Sequence, residues 1–103
     1  MPAFPPDPDP PGAPDGPTRV WLVERTYSDD EQNIIVLIYA TLDGRFDHRK
    51  ERAVTDPRSM PTTRAAVTVD PDDLGRVADE DRQTWYAEAA SRMAADHDPD
   101  DGV

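Results

Sequence analysis

The pattern of apolar positions between residues 18 and 54 predicts three consecutive β-strands. The segment TRVWLVERTY alternates in part between apolar and polar residues and is rich in β-branched and aromatic side chains, which is typical of a strand. The segment NIIVLIYAT is apolar at nearly every position, as in a central strand buried on both faces. The segment RFDHRKERAV follows the turn residues Asp43 and Gly44. We therefore expect an antiparallel meander of three strands.

The turn at Asp43-Gly44 determines which side chains of the second and third strands share a face. A two-residue turn needs a positive φ at both positions, and it would place Leu42 opposite Arg45 and Ile34 opposite Ala53. A bulged turn would shift the register by one residue and exchange these partners. In the two-residue register, one face carries Ile35, Leu37, Tyr39, His48, Lys50 and Arg52, and the other carries Val36, Ile38, Ala40, Arg45, Asp47, Arg49 and Glu51.

The C-terminal half predicts a short strand and one helix. RAAVTVD indicates a fourth strand, and PDDLG indicates a single helical turn closed by glycine. The segment ADEDRQTWYAEAASRMAADH has an apolar stripe at helical spacing, with Asp79 as its N-cap. The stripe consists of Trp85, Tyr86, Ala89, Ala90, Met93 and Ala94. The fold class is therefore α+β, a β-β-β-(β)-α order in which a meander of three to four strands carries one C-terminal amphipathic helix on one face.

Changes in composition along the chain divide it into three parts. Residues 1–17 hold eight of the twelve prolines and no basic residue, with a proline at every third position from Pro2 to Pro17. This spacing matches a polyproline II ligand, but the absence of a basic anchor favours a disordered leader or a stretch upstream of the true start. Residues 18–97 form the single α+β domain, and residues 98–103 are expected to be an acidic, disordered tail.

Composition excludes several classes of function. The chain has no cysteine, so thiolate metal sites and disulfides are impossible. The spacing of Asp96, Asp98 and Asp100 resembles part of a calcium loop, but Asp101 occupies the position where the glycine belongs. Neither a nucleophile motif nor a glycine-rich phosphate loop is present. We expect no enzyme activity, no cofactor and no specific metal. Because no apolar segment is long enough to span a membrane and no secretory signal is present, we expect a cytoplasmic protein.

The net charge of −11 disfavours binding to nucleic acid or to an anionic membrane. The 22 acidic residues comprise 17 aspartates and 5 glutamates, and the 11 basic residues comprise 10 arginines and Lys50. Such a surplus of acid is tolerated in molar salt, where charges are screened within a few Å. The composition therefore favours a halophilic cell.

This bias, together with the segments VWLVERTY, NIIVLIYAT, TVDPDDLG and HDPDDGV, resembles that of uncharacterised small acidic proteins of halophilic archaea. The resemblance extends from about Arg19 to the C-terminus and rests on composition and short phrases. It implies a salt-filled cytoplasm and no particular chemistry.

The second strand predicts an interaction surface. Ile34, Val36 and Ile38 point to one side of the sheet and Ile35, Leu37 and Tyr39 to the other, whereas one helix covers only one face. Three apolar side chains left in water would expose a patch prone to association. The loop and fourth strand, the leader, a second copy or another partner could cover that face. We therefore expect a small, non-enzymatic binding or assembly module. It would dimerise, or dock a protein partner, through the sheet face that carries Ile34, Val36 and Ile38.

The alternative function is nucleic-acid binding through the basic third strand. Its candidate contacts are Arg45, Arg49, Lys50 and Arg52. However, residues 18–68 contain eight bases and eight acids, so that half of the chain is neutral, and residues 69–103 carry a net charge of −8. The balance favours a basic strand that offsets acids of the protein itself.

Overall fold

The computed structural model describes residues 16–28, 34–53 and 63–103, and in this part of the chain five strands form one antiparallel sheet with a helix packed on it. The predicted α+β class is confirmed. Sheet order is β4-β1-β2-β3-β5. The strands are β1 (Thr18–Ser28), β2 (Ile34–Ala40), β3 (Phe46–Ala53), β4 (Ala66–Val69) and β5 (Gly75–Arg76), and the helix is α1 (Glu80–Asp96). A 3₁₀ turn at Pro71–Asp73 precedes β5.

The β2–β3 hairpin has the register of the two-residue turn but a different turn. Ile34 pairs with Ala53 and Ala40 with Asp47, as the first of the two registers predicts. Within this turn only Gly44 has a positive φ, at 72°, so Asp43 does not adopt the conformation that a type I′ turn requires. Instead the Asp43 carboxylate accepts a hydrogen bond of 2.6 Å from the Thr41 hydroxyl and one of 3.0 Å from the backbone N–H of Arg45.

Strand β4 pairs with β1, on the side of the sheet away from β3. Thr18 lies opposite Val69 and Trp21 opposite Ala66. The chain then returns across the sheet, because β5 pairs with β3 at Phe46 and Asp47. The short fourth strand was predicted, but β5 has only two residues and left no recognisable pattern.

The C-terminal residues differ from the expected disordered tail. They run beside the start of β4, where Arg64 forms a bridge with Gly102. The backbone N–H of Ala65 donates to Asp101 and that of Val103 donates to Thr63, both at 2.8 Å. The aspartates are exposed, and backbone hydrogen bonds hold this segment together with the side chains of Arg25 and Val103. The side-chain composition of residues 98–103 therefore does not reveal this arrangement.

Helix α1 packs with the centre of its predicted stripe. The Asp79 carboxylate caps the helix by accepting from the N–H of Asp81, as predicted. Tyr86 and Ala90 are buried, whereas Trp85, which the stripe also included, is 45% exposed. The helix is therefore rotated so that Trp85 lies at the margin of the contact.

The helix covers one end of one sheet face. We call the face that carries Ile34, Val36, Ile38 and Ala40 the helix-side face, since Ala40 packs with Tyr86 and Val77. The other face, here the opposite face, holds the largest core cluster. Its buried members are Val20, Leu22, Ile35, Leu37 and Tyr39, each at most 5% exposed. Met93 of α1 also packs on this cluster, but the face that carries less of the helix is the more deeply buried one.

Leu74 and Val103 help to cover the opposite face. The carbonyl oxygen of Asp73 lies 3.1 Å from Nδ1 of His48, which places the segment between β4 and β5 at the Tyr39 end of this face. The predicted leader (residues 1–17) lies almost entirely outside the described residues, as does most of the predicted loop TDPRSMPTT.

Candidate functional site

The structure separates the four basic residues of RFDHRKER. Directly opposed residues of an antiparallel pair share a face, so Arg49, opposite Ile38, lies on the helix-side face. Lys50 and Arg52, opposite Leu37 and Ile35, lie on the opposite face. Arg45 belongs to the hairpin turn, where its carbonyl accepts from Val77. The four candidate nucleic-acid contacts therefore do not form one surface.

The candidate interface residues lie on the face that carries α1, and the helix reaches only one of them. Ile38 packs against the cluster of Ala40, Val77 and Tyr86. Ile34 and Val36 are half-buried and belong to none of the core clusters of the described residues.

Arg82 marks the border of the helix on this face. Its guanidinium is 3.4 Å from the hydroxyl of Tyr86 and interacts electrostatically with Glu24 of β1 and Asp47 of β3. Burial raises the pKa of Asp47, an effect that Arg82 and His48 partly offset. The margin of the helix is thus charged, and the surface beyond it is the part of the sheet around Ile34 and Val36.

The outer edge of β3 explains part of the charge in RFDHRKER. Among the described residues, this edge is paired only at Phe46 and Asp47, by β5. An unpaired strand edge is a template for aggregation, and charged side chains, lysine above all, are a common protection against it. The run of charges from Arg49 to Arg52 lies along this unpaired stretch, so it discourages edge-to-edge pairing in addition to offsetting acid.

A cavity of about 380 Å³ opens on the opposite face. We call it the basic pocket. Leu37 and Tyr39 from β2 and Val67 from β4 form its apolar part. The polar lining comes from two distant strands of the sheet: β3 contributes Lys50 and Arg52, and the segment before β4 contributes Thr63 and Arg64.

The cations of the basic pocket have few partners of their own. Neither Lys50 nor Arg52 forms a hydrogen bond or salt bridge in the part of the chain that the structure describes. Arg64 has a loose contact of 4.0 Å with the largely exposed Asp100 carboxylate, which contributes little stability. Arg25, on the same face, donates at 2.7 Å to the backbone oxygen of Val103.

Tyr39 combines a buried ring with a polar group beside this cavity. Its hydroxyl is 3.5 Å from the carbonyl of Arg64. Burial raises the pKa of Tyr39, although the positive charges of Arg52 and Arg25 act in the other direction. The hydroxyl therefore remains protonated, and it donates its single hydrogen to the Arg64 carbonyl.

The sequence predicts only some of the residues that line this pocket. Alternation along β3 placed Lys50 and Arg52 on the face of Leu37 and Tyr39. Thr63 and Arg64 were missed because nothing local indicates that β4 pairs with β1, and that pairing brings them across the sheet.

Other chemistry-bearing residues do not assemble. His97 lies 3.7 Å from the Asp101 carboxylate at the end of α1, and His48 contacts the backbone of Asp73. In residues 16–28, 34–53 and 63–103, no group of three or more histidine or acidic residues could hold a metal ion. No helix in the same ranges is long and apolar enough to cross a membrane.

Taken together, the described residues define a small α+β module with an antiparallel sheet, a single C-terminal helix and a basic pocket. Residues 14–103 match the model of a family of unknown function, DUF7967, and the chain belongs to that family. No curated protein and no solved structure matches the chain. The match begins at Pro14, so most of the proline-rich leader lies outside it.

Proposed function

We propose that this protein is a small, non-enzymatic assembly module of a halophilic cytoplasm, and that it forms a homodimer through the helix-side face. The observation that carries the proposal is the partial coverage of this face by α1. The helix buries the Ala40 end, while Ile34 and Val36 remain half-buried outside the clusters of the described core. Covering these side chains with a second copy removes apolar area from water, which stabilises the dimer.

The charges of β3 favour a second copy as the occupant. On the part of the helix-side face that α1 leaves uncovered, β3 carries two residues of opposite sign, Arg49 opposite Ile38 and Glu51 opposite Val36. A two-fold axis that runs across the strand between these two residues reverses their order and places each cation opposite the anion of the other copy. A surface with this property is complementary to itself, as a two-fold interface must be.

The residues that provide this pattern are accessible. The side chains of Arg49 and Glu51 form a 3.0 Å salt bridge but remain 63% and 56% exposed. Exposed pairs of this kind contribute little to folding, so they are free to exchange partners across an interface. In molar salt their attraction weakens while apolar burial holds or strengthens. The charges therefore set the register of the dimer, and Ile34 and Val36 supply its affinity.

The test is the molar mass from light scattering on a sizing column, at low salt and in about 2 M KCl. We expect about twice 11.5 kDa in high salt. Val36→Asp should give a monomer with an unchanged circular dichroism spectrum, because Val36 belongs to no described core cluster. Ile38→Asp is unsuitable, since Ile38 packs with the helix cluster and its loss would perturb the fold.

The matched control is Ser91→Asp, which adds the same charge at an exposed position of α1 and should leave the dimer intact. Glu88→Ala, also exposed on the helix, should be equally silent. A wild-type monomer at both salt concentrations would overturn the proposal. So would a dimer that Val36→Asp leaves unchanged.

A further inference from the structure

We propose that the basic pocket binds a small organic acid, with the carboxylate held at the cationic rim and the hydrocarbon part resting on the apolar floor. The pocket lies on the opposite face, so this inference goes beyond the proposed dimerisation and does not depend on it. Three features of the pocket support the inference: the positive charge of its rim, the lack of hydrogen-bonding partners for two of its cations, and its volume.

The rim concentrates positive charge in a strongly acidic chain. Lys50 and Arg52 come from alternate positions of β3, so both lie on the cavity side of the strand. Arg64, from the segment before β4, reaches the same cavity. Lys50 is the one lysine of a chain whose net charge is −11. Three cations around one opening attract a negative group and resist a positive one.

These cations are available to a ligand. In the described ranges, Lys50 and Arg52 have no hydrogen bond or salt bridge, and the single contact of Arg64 with an acid is loose. By contrast Arg49, the neighbour on the other face, is paired with Glu51 at 3.0 Å. A carboxylate can accept two parallel hydrogen bonds from one guanidinium, and such charge-assisted bonds are about twice as strong as neutral ones.

The floor offers a small apolar surface. Leu37 and Tyr39 are 1% and 2% exposed and lie beneath it, so half-buried Val67 provides most of the apolar area that a ligand can reach. The hydroxyl of Thr63 adds a donor at the edge of this floor. Small-molecule sites have volumes of about 300–1,000 Å³, and this cavity of about 380 Å³, whose lining is mainly polar, is at the small end of that range.

The same features argue against other anions. Inorganic phosphate would fill the rim but gain nothing from Val67. A nucleic-acid backbone needs cations spread along a surface, whereas these three surround one concave site and Arg49 faces away. A compact carboxylic acid with an aliphatic or aromatic body uses both parts of the pocket.

The experiment is an NMR titration of ¹⁵N-labelled full-length protein with benzoate, benzamide and inorganic phosphate. Benzamide has the ring of benzoate without its charge, and phosphate has the charge without the ring. We expect benzoate to bind with a dissociation constant of about millimolar and to shift the amide signals of Leu37, Tyr39 and Val67. Benzamide and phosphate should bind at least tenfold more weakly.

Two variants and a matched control locate the site. Arg52→Gln should weaken benzoate about tenfold, since a hydrogen bond to a charged group is lost, and Lys50→Gln should weaken it in the same direction. Arg49→Gln removes the same charge from the neighbouring position on the other face and should change affinity less than twofold. An unchanged amide spectrum outside the pocket verifies the fold of each variant.

Three results would overturn the proposal. The first is the absence of chemical-shift changes at the pocket. The second is equal affinity for phosphate and benzoate, which would indicate a site for inorganic anions. The third is that Arg49→Gln weakens benzoate binding as much as Arg52→Gln does, which would indicate general electrostatic attraction. Repeating the titration with Val36→Asp separates the two proposals, because a monomer that still binds benzoate leaves only the dimer interface in question.

Discussion

Gly44, in the β2–β3 turn, lies directly against the backbone of Gln83 in α1. A Cβ atom at Gly44 would overlap the carbonyl group of Gln83 and stand 2.9 Å from the backbone N of Ala87. Gly44 also has a φ of 72°, a conformation that other residues adopt at a cost. The hairpin turn and the helix are therefore in contact through backbone atoms, which brings α1 down on the Ala40 end of the helix-side face.

We expect Gly44→Ala to lower the free energy of unfolding by about 2–4 kcal/mol, from backbone strain and overpacking together. Chemical denaturation with urea at fixed KCl measures this. Gly16→Ala is the control, since a Cβ there meets nothing within 4 Å and its φ is not positive, and it should change stability by less than about 0.5 kcal/mol. Equal stability of Gly44→Ala and wild type would mean that the turn and helix are not in this contact.

Asp47 should make stability depend on pH. Burial raises its pKa above the ordinary value of 3.8, despite Arg82 and His48. A raised folded-state pKa means that the contribution of the neutral carboxyl is fully present below pH 3.8 and is lost as pH rises through the folded-state pKa. Asp47→Asn should therefore be more stable than wild type at neutral pH, and the difference should disappear on acidification.

The control for Asp47→Asn is Asp72→Asn, which removes the same charge at an exposed position of the 3₁₀ turn. Urea denaturation from pH 3 to pH 7 compares the two variants; being uncharged, urea leaves the charge interactions in place. A stabilisation of equal size in both variants would show that relief of net negative charge, rather than burial of Asp47, is responsible.

Val103 should hold the C-terminal segment against β4. Its N–H donates to Thr63, its backbone oxygen accepts from Arg25, and its side chain packs on the core clusters of both sheet faces. Val103→Asp should cost about 1–2 kcal/mol, because the site is half-buried, and should accelerate hydrogen exchange of the Ala65 amide.

The silent counterpart to Val103→Asp is Asp100→Ser, whose side chain is 93% exposed. If exchange at Ala65 proved equally fast in wild type and Val103→Asp, residues 98–103 would be the disordered tail that composition predicts.

The two tryptophans should report the rotation of α1. Trp21 is 7% exposed and packs with Ala90, whereas Trp85 is 45% exposed. In acrylamide quenching, Trp85→Phe, which retains Trp21, should be quenched much less than Trp21→Phe, which retains Trp85. Trp21→Ala should cost about 3–5 kcal/mol, far more than Trp85→Ala. The opposite order of quenching would contradict this orientation of the helix.

Much of the fold could be predicted because its signals are local. Alternation along β1 and β3, the continuous apolar run of β2 and the helical stripe each identify an element from side chains a few residues apart. The pairing register of the β2–β3 hairpin could be predicted from a two-residue turn at Asp43-Gly44, even though Asp43 does not adopt the predicted φ. The Asp79 cap was also predictable, since a carboxylate before Glu80 and Asp81 suits a helix start.

The errors of emphasis have a common origin. Trp85 was grouped with Tyr86 because their spacing allows it, but packing against Ala40 and Trp21 selects Tyr86 and Ala90. The C-terminal aspartates predicted disorder, whereas backbone hydrogen bonds, which leave no mark in composition, hold the segment beside β4.

The sequence by itself determined β1 to β4 and α1, their order, the faces of the hairpin and the separation of Lys50 and Arg52 from Arg49. The tertiary structure alone decided that β4 joins β1, that α1 covers the Ala40 end of one face, and that Arg64 meets Lys50 and Arg52 around one cavity. The reason is physical. Turns and alternation follow from stereochemistry within a few residues, but the choice among distant pairings depends on the summed burial and backbone hydrogen bonding of the whole chain.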